Sequence, residues 1–223
     1  MSKVTQYSAI NLIEEAHVDA VRWNELPSNE KLANIVLTLQ RHGMRAIQAA
    51  DGREALDILR TLIPSGAEVM DGASVTLFEI GYREFVDSGQ SAWQNLRAAV
   101  HAENDPAKRH ELRRKSMTAQ YFVSGVNAIT ESGELVACDT AGSRVGAWHF
   151  AADHLILVCG INKIVRTLDD AFRRVREYSY PLENLRANRK YGVPSQLGKW
   201  VILAYEEVQS RVTVILIRER LGY

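Results

Sequence analysis

The sequence predicts an α/β protein built around a mostly parallel sheet. Short apolar runs alternate with segments of helical periodicity, which is typical of that class. Three of the runs, Tyr121–Val123, Leu135–Cys138 and Leu155–Cys159, are each followed by a loop of small and polar residues. An α/β protein places such loops at the carboxyl edge of its strands. If the three runs are neighbouring strands, we therefore expect the loops to converge on one ligand-binding crevice.

The chain is expected to begin with two helices. Apolar residues at helical spacing predict the first over residues 8–23. Ser28 caps the second, which ends at Gly43 in a C-cap. No repeat or flexible linker divides the rest of the chain. We therefore predict a helical N-terminal extension over residues 1–27 and one α/β domain over residues 28–223.

The next elements are expected to form a β-α-β unit followed by two helices. Strand Met44–Ala49 leads into a helix that starts at Asp51-Gly52, and strand Ala67–Met70 completes the unit. The two helices are expected at about 90–101 and 106–118, the second of them beginning with Asp105-Pro106.

The C-terminal part is expected to contain one helix and a β-hairpin. The helix spans Leu168–Tyr178, with its apolar side chains inward. Its outward residues are expected to be Arg173, Arg174, Arg176 and Glu177. Residues 181–199 look irregular, and Trp200–Tyr205 is expected to pair with Val212–Ile217 as a C-terminal hairpin.

Composition excludes several classes of protein. Among 223 residues, 27 Lys and Arg balance 27 Asp and Glu, which argues against general nucleic-acid binding. No apolar run is long enough to span a membrane, and the N-terminus lacks a secretion signal. Cys138 and Cys159 lie in apolar runs without the spacing of a metal site, so we expect no metal, no cofactor and reduced thiols in a cytoplasmic protein.

The turn after the second strand is a candidate anion site. Gly72, Ser74 and Thr76 stand where a glycine-containing turn enters a helix, which offers free N–H groups and hydroxyls to a phosphate or carboxylate. An ordinary helix cap at Ser74 is an equally weighted alternative. Glu79 follows within one helical turn and is a candidate base or nucleophile, although solvent exposure alone would also account for it.

Two further loops carry candidate ligand-binding residues, which are Gly125, Asn127 and Thr130 in the first loop and Gly160, Asn162 and Lys163 in the second. Asparagine forms turns and also offers a donor and an acceptor to a ligand. The lysine offers a point charge for an anionic group, and an ordinary surface position after a strand is its alternative.

Arg144 is the remaining candidate, in a loop of small residues suited to bidentate recognition of a carboxylate or phosphate. An ion pair with Asp139 or Glu134 is an equally weighted alternative.

Several of these segments, taken in order, resemble the LUD domain, as in lactate utilisation protein C. The resemblance covers roughly residues 30–223. The matching segments are Gly72–Gly81 (G-G-S-x-T-L-x-E-I-G in the family), Ser124–Leu135 (T-G-x-N-A-I-T-E-x-G-x-L), Gly142–Val145 (G-N-R-V), Gly160–Ile164 (G-x-N-K-I) and the closing Glu219–Tyr223.

The resemblance implies a three-layer sandwich of the ribose-5-phosphate isomerase, glucosamine-phosphate deaminase and CoA-transferase kind. It also implies a place in lactate-to-pyruvate utilisation, in which iron–sulfur and oxidase partner proteins carry the redox centres. The main departure from the family is that Asn188–Lys199 replaces a cysteine-rich insertion found in many members and contains no cysteine. Met1–Pro27 is additional to the family pattern, and Ala73 stands where a glycine is usual.

Three hypotheses of function follow. The leading one is a non-redox component that binds a small anionic metabolite. The alternative is a stand-alone isomerase, lyase or acyl- or CoA-transferase-like enzyme, for instance in a specialised biosynthetic pathway, with Glu79 or Glu131 as its carboxylate. The third is an assembly or regulatory subunit in which Met1–Pro27 docks on a partner or on a second copy in a homodimer.

Overall fold

Six parallel strands form the central sheet of the protein. The structure is a computed structural model that describes the backbone of residues 9–223 and the side chains of residues 12–223. The strands are β1 (Arg45–Ala49), β2 (Glu68–Asp71), β3 (Gln94–Asn95), β4 (Tyr121–Gly125), β7 (His154–Gly160) and β10 (Val212–Ile217), in the spatial order β1-β10-β7-β4-β2-β3. Parallel pairing aligns the carboxyl ends of β2, β4 and β7 at one edge.

The sheet is covered on both faces, as the near-continuous apolar sequences of its strands require. Leu155 and Leu157 of β7 face one apolar cluster, while Ile156 and Val158 face another on the opposite side. The α/β three-layer arrangement expected from the sequence is thus confirmed.

Helices connect the strands and supply the outer layers. Those before β4 are α1 (Ala9–Ala16), α2 (Ala20–Trp23), α3 (Asn29–Arg41), α4 (Gly52–Leu62), α5 (Val75–Glu79), α6 (Tyr82–Asp87), α7 (Leu96–Ala102) and α8 (Pro106–Lys115). The expected caps are present, since Ser28 Oγ accepts from Lys31 N at 3.2 Å and Asp105 Oδ1 from Lys108 N at 3.0 Å. None of the described helices is long and apolar enough to cross a membrane.

A second, smaller sheet packs beside the first. It contains β5 (Ala128–Thr130), β6 (Leu135–Asp139), β8 (Ile164–Val165) and β9 (Lys199–Leu203), in the order β8-β5-β6-β9. The run Leu135–Cys138 therefore does not neighbour the other two apolar runs, contrary to the expectation. It turns back antiparallel to β5 and carries the following loop toward the carboxyl edge of the main sheet.

The expected C-terminal hairpin is wrong. Strand β9 pairs with β6 in the small sheet, whereas β10 lies between β1 and β7 in the large one. Every residue of β10 is buried, which is typical of a central parallel strand with both faces covered. Strands β10, β7 and β4 lie between β1 and β2, so the predicted β-α-β unit joins strands that are not neighbours.

Residues 181–199, expected to be irregular, begin with a well-formed helix. α10 (Leu168–Arg174) continues through one π-helical turn, Val175–Ser179, into α11 (Tyr180–Tyr191). The remaining short helix is α9 (Ser143–Gly146), which another π-helical turn follows. Pro181 lies in the first turn of α11, directly after the π-helical turn.

The N-terminal helix expected over residues 8–23 is divided in two. His17 has φ of 51°, and Asp19 then caps α2 through its side chain, so the chain leaves and re-enters helical geometry. Leu12 and Trp23 are buried against Tyr178, Leu182 and Tyr223. Residues 1–8 of the predicted extension lie outside the described part of the chain.

Candidate functional site

The candidate site lies at the carboxyl edge, where the loops after β2, β4 and β7 meet. Gly125 ends β4 and faces Ser74, so closely that a Cβ at position 125 would overlap the serine hydroxyl. Only glycine permits this approach. Ser74 also caps α5 through the amide of Leu77, at 3.3 Å, as the helix-cap alternative predicted.

Lys163 lies at the centre of this group and is 2% exposed. A single 3₁₀ turn, Ile161–Lys163, follows β7 and directs the side chain back across the strand ends. Its Nζ donates to Thr76 Oγ1 at 2.8 Å and to the Val126 carbonyl oxygen at 3.1 Å. The structure therefore brings together the loops after β2, β4 and β7 around one amine.

Arg174 is a second buried cation at the same site, with no exposed surface. Its Nη1 donates to the Asn127 carbonyl oxygen at 2.5 Å and to Ser179 Oγ at 3.2 Å, and its Nε donates to the Trp23 carbonyl oxygen at 3.3 Å. The guanidinium also lies over the Tyr178 ring, 5.1 Å from its centre. Its Nη2 is buried and has no hydrogen-bond partner in the described part of the chain.

The two cations lack a carboxylate partner, since no Asp or Glu oxygen of the described residues lies within 4 Å of either. Burial lowers the pKa of Lys163 to about 8, and the nearby Arg174 acts in the same direction. Burial also lowers the pKa of Arg174, to about 10. Both groups remain predominantly charged at neutral pH, so the site carries buried positive charge.

Arg144 has a different role from the one expected for a ligand-neutralising cation. Its Nε pairs with Asp139 Oδ1 at 2.9 Å, as the ion-pair alternative predicted. The remaining nitrogens donate to the Asn127 side-chain oxygen at 3.1 Å and to the carbonyl oxygens of Cys138 and Gly125, at 2.7 and 3.2 Å. These contacts tie the small sheet to the end of β4.

The last residues of the described chain cover the site. Gly222 N donates to Glu79 Oε2 at 2.6 Å, and Leu221 N donates to Asn162 Oδ1 at 3.1 Å. Thr76 Oγ1 in turn donates to the Leu221 carbonyl oxygen at 3.4 Å. Gly222 has φ of 60°, and a Cβ there would overlap Thr76 Oγ1. We call Leu221–Gly222 the cover segment, because its backbone groups form hydrogen bonds with side chains that were predicted to hold a ligand.

The N-terminal segment also contributes to the wall of the site. Asn24 Oδ1 accepts from Asn162 Nδ2 at 2.7 Å, and Asn24 Nδ2 donates to the Tyr178 hydroxyl at 2.7 Å. Arg174 also donates to the Trp23 carbonyl oxygen. The residues at the end of α2 therefore join the loop after β7 to the π-helical turn.

Two predicted residues are not brought to this group. Thr130 hydrogen-bonds within its own turn, to Ser132 and to the Glu134 carboxylate. Glu131 forms an ion pair with Lys31 of α3 at 2.7 Å, near the surface. The other predicted residues lie at or next to the carboxyl edge, which are Gly72, Ser74, Thr76, Glu79, Gly125, Asn127, Arg144, Gly160, Asn162 and Lys163.

Arg174 is the residue that sequence analysis misplaced. The predicted inward face of Leu168, Phe172 and Val175 puts Arg174 on the outer face with Arg173 and Arg176, both of which are exposed. Arg174 instead lies on the buried side, three residues after Ala171 and four before Tyr178, which is regular helical spacing. The available signal was this second set of apolar residues at i−3 and i+4 from Arg174.

The family of the chain follows from the comparison of its sequence with known domains. The family model described as the LUD domain matches residues 32–217. This chain belongs to the LUD domain family. Its fold is similar to the 1.70 Å crystal structure of a DUF162 family protein from Deinococcus radiodurans, with a TM-score of 0.50 and 13% identity over 86% of this chain and 99% of that one. No curated protein matches the chain significantly.

The donor set of this LUD domain does not fit an iron–sulfur cluster. Cys138 lies in the small sheet and Cys159 in the large one, and both are free. Burial raises the pKa of each thiol to about 11, which disfavours the thiolate that ligation requires. Within the described residues, no three of His, Cys, Asp and Glu are grouped to hold a metal.

Proposed function

We propose that this LUD domain binds a small anionic metabolite, a carboxylate or phosphate, between Lys163 and Arg174. In this proposal it acts as a non-redox component of lactate-to-pyruvate utilisation. The observation that carries the proposal is the pair of buried cations that have no carboxylate partner among the described residues, one of them with an Nη2 that likewise has no partner there. Family membership supports the lactate assignment.

Electrostatics favour an anion at this position. Burying an ion without a counter-ion costs several kcal/mol, and opposite charges 4 Å apart attract by about 4 kcal/mol at an effective dielectric constant of 20. One anion in contact with both cations would offset much of the cost of burying them. Thr76 and Asn162 offer a hydroxyl and an amide to orient it, once the cover segment releases them.

Calorimetric titration with lactate, pyruvate and inorganic phosphate tests the proposal. We expect binding heat with at least one of them, and a loss of affinity of at least tenfold in Lys163→Met and in Arg174→Met. Arg60→Ala is the matched control, because Arg60 pairs with Asp57 on the exposed surface of α4, at 3.2 Å. Absence of binding by all three anions would rule the proposal out.

A stand-alone enzyme is the second candidate, and the placement of Glu79 favours it. The Glu79 carboxylate accepts from Gly222 N within the site, and its charge raises the pKa of Lys163 against the effect of burial. A carboxylate beside an amine suits proton transfer at a carbon next to a carbonyl. Purified protein would then exchange the methyl protons of pyruvate with deuterated water, measured by NMR. Exchange that is undiminished in Glu79→Gln would contradict this assignment.

The remaining assignments concern the setting of the protein. We propose a cytoplasmic location and iron–sulfur partner proteins that carry the electrons. The support for such partners is that Cys138 and Cys159 are both poor metal ligands here. Pull-down with the products of neighbouring genes would test the partner assignment.

A further inference from the structure

The Lys163 amine has the surroundings of a nucleophile. A neutral amine has two N–H groups and one lone pair, and Nζ has two acceptors, Thr76 Oγ1 at 2.8 Å and the Val126 carbonyl oxygen at 3.1 Å. Donation to both orients the lone pair away from them. Lysines that are desolvated and next to another cation are the ones that react with carbonyl groups. Lys163 meets both conditions, since it is buried and close to Arg174.

We propose that Lys163 forms an imine with a 2-oxo acid, an inference that rests on the proposed anion site and names its substrate class. The amine nitrogen attacks the carbonyl carbon, the π electrons move to oxygen, and a proton passes from nitrogen to that oxygen to give a carbinolamine. Loss of the hydroxyl with one further proton as water then forms the C=N bond. No oxidant or reductant takes part.

Arg174 supports the choice of a 2-oxo acid over a simple aldehyde or ketone. Its Nη2 is buried and without a partner in the described structure, and Nη1 is held by the Asn127 carbonyl oxygen next to Val126. Val126, next to Asn127, accepts from the Lys163 amine, so a carboxylate on Nη2 would bind at the same turn of the chain as that amine. A 2-oxo acid carries its carbonyl directly next to its carboxylate, so one small molecule satisfies both groups.

The substrate would bind in the space that the cover segment now fills. A Cβ on Gly222 would lie 3.1 Å from Lys163 Nζ, so this glycine packs directly against the amine. The amide groups of Leu221–Gly222 use Glu79, Asn162 and Thr76. A 2-oxo acid that displaces the segment finds the same hydroxyl and amide available for its own oxygen atoms.

Imine formation requires the neutral form of the Lys163 amine, and a pKa of about 8 means that this form is populated near neutral pH. Burial lowers the pKa of Lys163 most, the charges of Arg174 and Arg144 lower it further, and Cys159 and Glu79 raise it, which together give a pKa of about 8. A surface lysine titrates near 10.4. Adduct formation at Lys163 should therefore rise steeply up to about pH 8 and level off above it, whereas surface lysines continue to gain reactivity.

Reductive trapping of the full-length protein tests the proposal. The protein is incubated with pyruvate at about pH 8, reduced with borohydride and digested, and mass spectrometry of the peptides locates the carboxyethyl group. We expect the adduct on Lys163 in preference to surface lysines such as Lys31. Lactate, which has a hydroxyl in place of the keto group, should give none. Lys163→Arg keeps the positive charge and should abolish the adduct.

The outcomes separate this proposal from the one on which it rests. Calorimetric binding of pyruvate and lactate with no adduct on Lys163 would overturn the imine and leave the anion site in place. Failure of pyruvate, lactate and inorganic phosphate to bind, with no adduct, would overturn both proposals. Since peptide mapping of the wild-type protein alone decides whether Lys163 is modified, the test holds even where the Lys163→Arg variant does not fold.

Discussion

At the scale of single residues, the main feature is a buried lysine with an altered proton affinity. The pKa of Lys163 is about 8 in the folded protein and near its ordinary value of 10.5 when unfolded. Between these values the unfolded state binds more protons, so the free energy of unfolding rises with pH. The increase is roughly 3 kcal/mol, from 1.36 kcal/mol per unit of pKa.

Lys163→Met makes this increase measurable. Urea unfolding at a series of pH values should show that wild type gains stability relative to the variant between about pH 8 and 10.5, with little change in the difference below pH 8. A difference that is constant across the whole range would show that Lys163 is not desolvated.

The ion pair between Asp139 and Arg144 leads to a second prediction at this scale. Both side chains are largely buried, and the pair links the small sheet to β4. Asp139→Asn leaves the guanidinium without its counter-charge, so we expect a loss of about 3 kcal/mol in the free energy of unfolding. The exposed pair Asp57–Arg60 supplies the control, since Asp57→Asn should cost about 0.5 kcal/mol or less.

At the scale of elements, the cover segment and the loops compete for the same groups. Gly222→Val adds a side chain at φ of 60° that overlaps Thr76 Oγ1, which should displace the segment. We expect tighter anion binding by calorimetry and earlier cleavage after Arg220 by trypsin. Gly89→Val is the matched control, because Gly89 has φ of 76° with nothing within 4 Å of the added Cβ. Equal effects of both variants on binding would contradict the competition.

Elements also show where sequence analysis succeeds and where it fails. Local signals placed α3, β4 and β7 correctly, because a cap at Ser28 or an apolar run depends on neighbouring residues. The hairpin between β9 and β10 failed because strand pairing depends on distant partners. The nearly continuous apolar sequence of Val212–Ile217 was the available sign of a central strand, and all six residues are indeed buried. Arg174 was misplaced because the inward face was assigned from Leu168, Phe172 and Val175, whereas the buried face also includes Ala171 and Tyr178, with which Arg174 is in phase.

At the scale of the whole molecule, the site depends on both ends of the described chain. The loops after β2, β4 and β7 were predicted to converge, and the structure places them around Lys163. The contribution of Trp23, Asn24 and the cover segment was not predictable, because the contacts join residues that are 138 to 151 positions apart in the sequence.

Removal of residues 1–24 therefore has a predicted consequence beyond assembly. Arg174 loses the Trp23 carbonyl oxygen, and Asn162 loses the Asn24 side chain. We expect the truncated protein to unfold at lower urea concentration and to bind anions at least tenfold more weakly. Unchanged binding, together with a change only in mass in solution, would favour the assembly hypothesis for this segment.

The central claim is that an anion binds against the Lys163 ammonium group, and proton uptake on binding tests it most directly. At about pH 8 the Lys163 amine is neutral in half of the protein molecules, and a bound anion raises the pKa of this amine. Titration with lactate or phosphate in two buffers of different ionisation enthalpy should show uptake of up to about half a proton, which Lys163→Met abolishes. Binding without proton uptake, or equal uptake in the variant, would contradict the account.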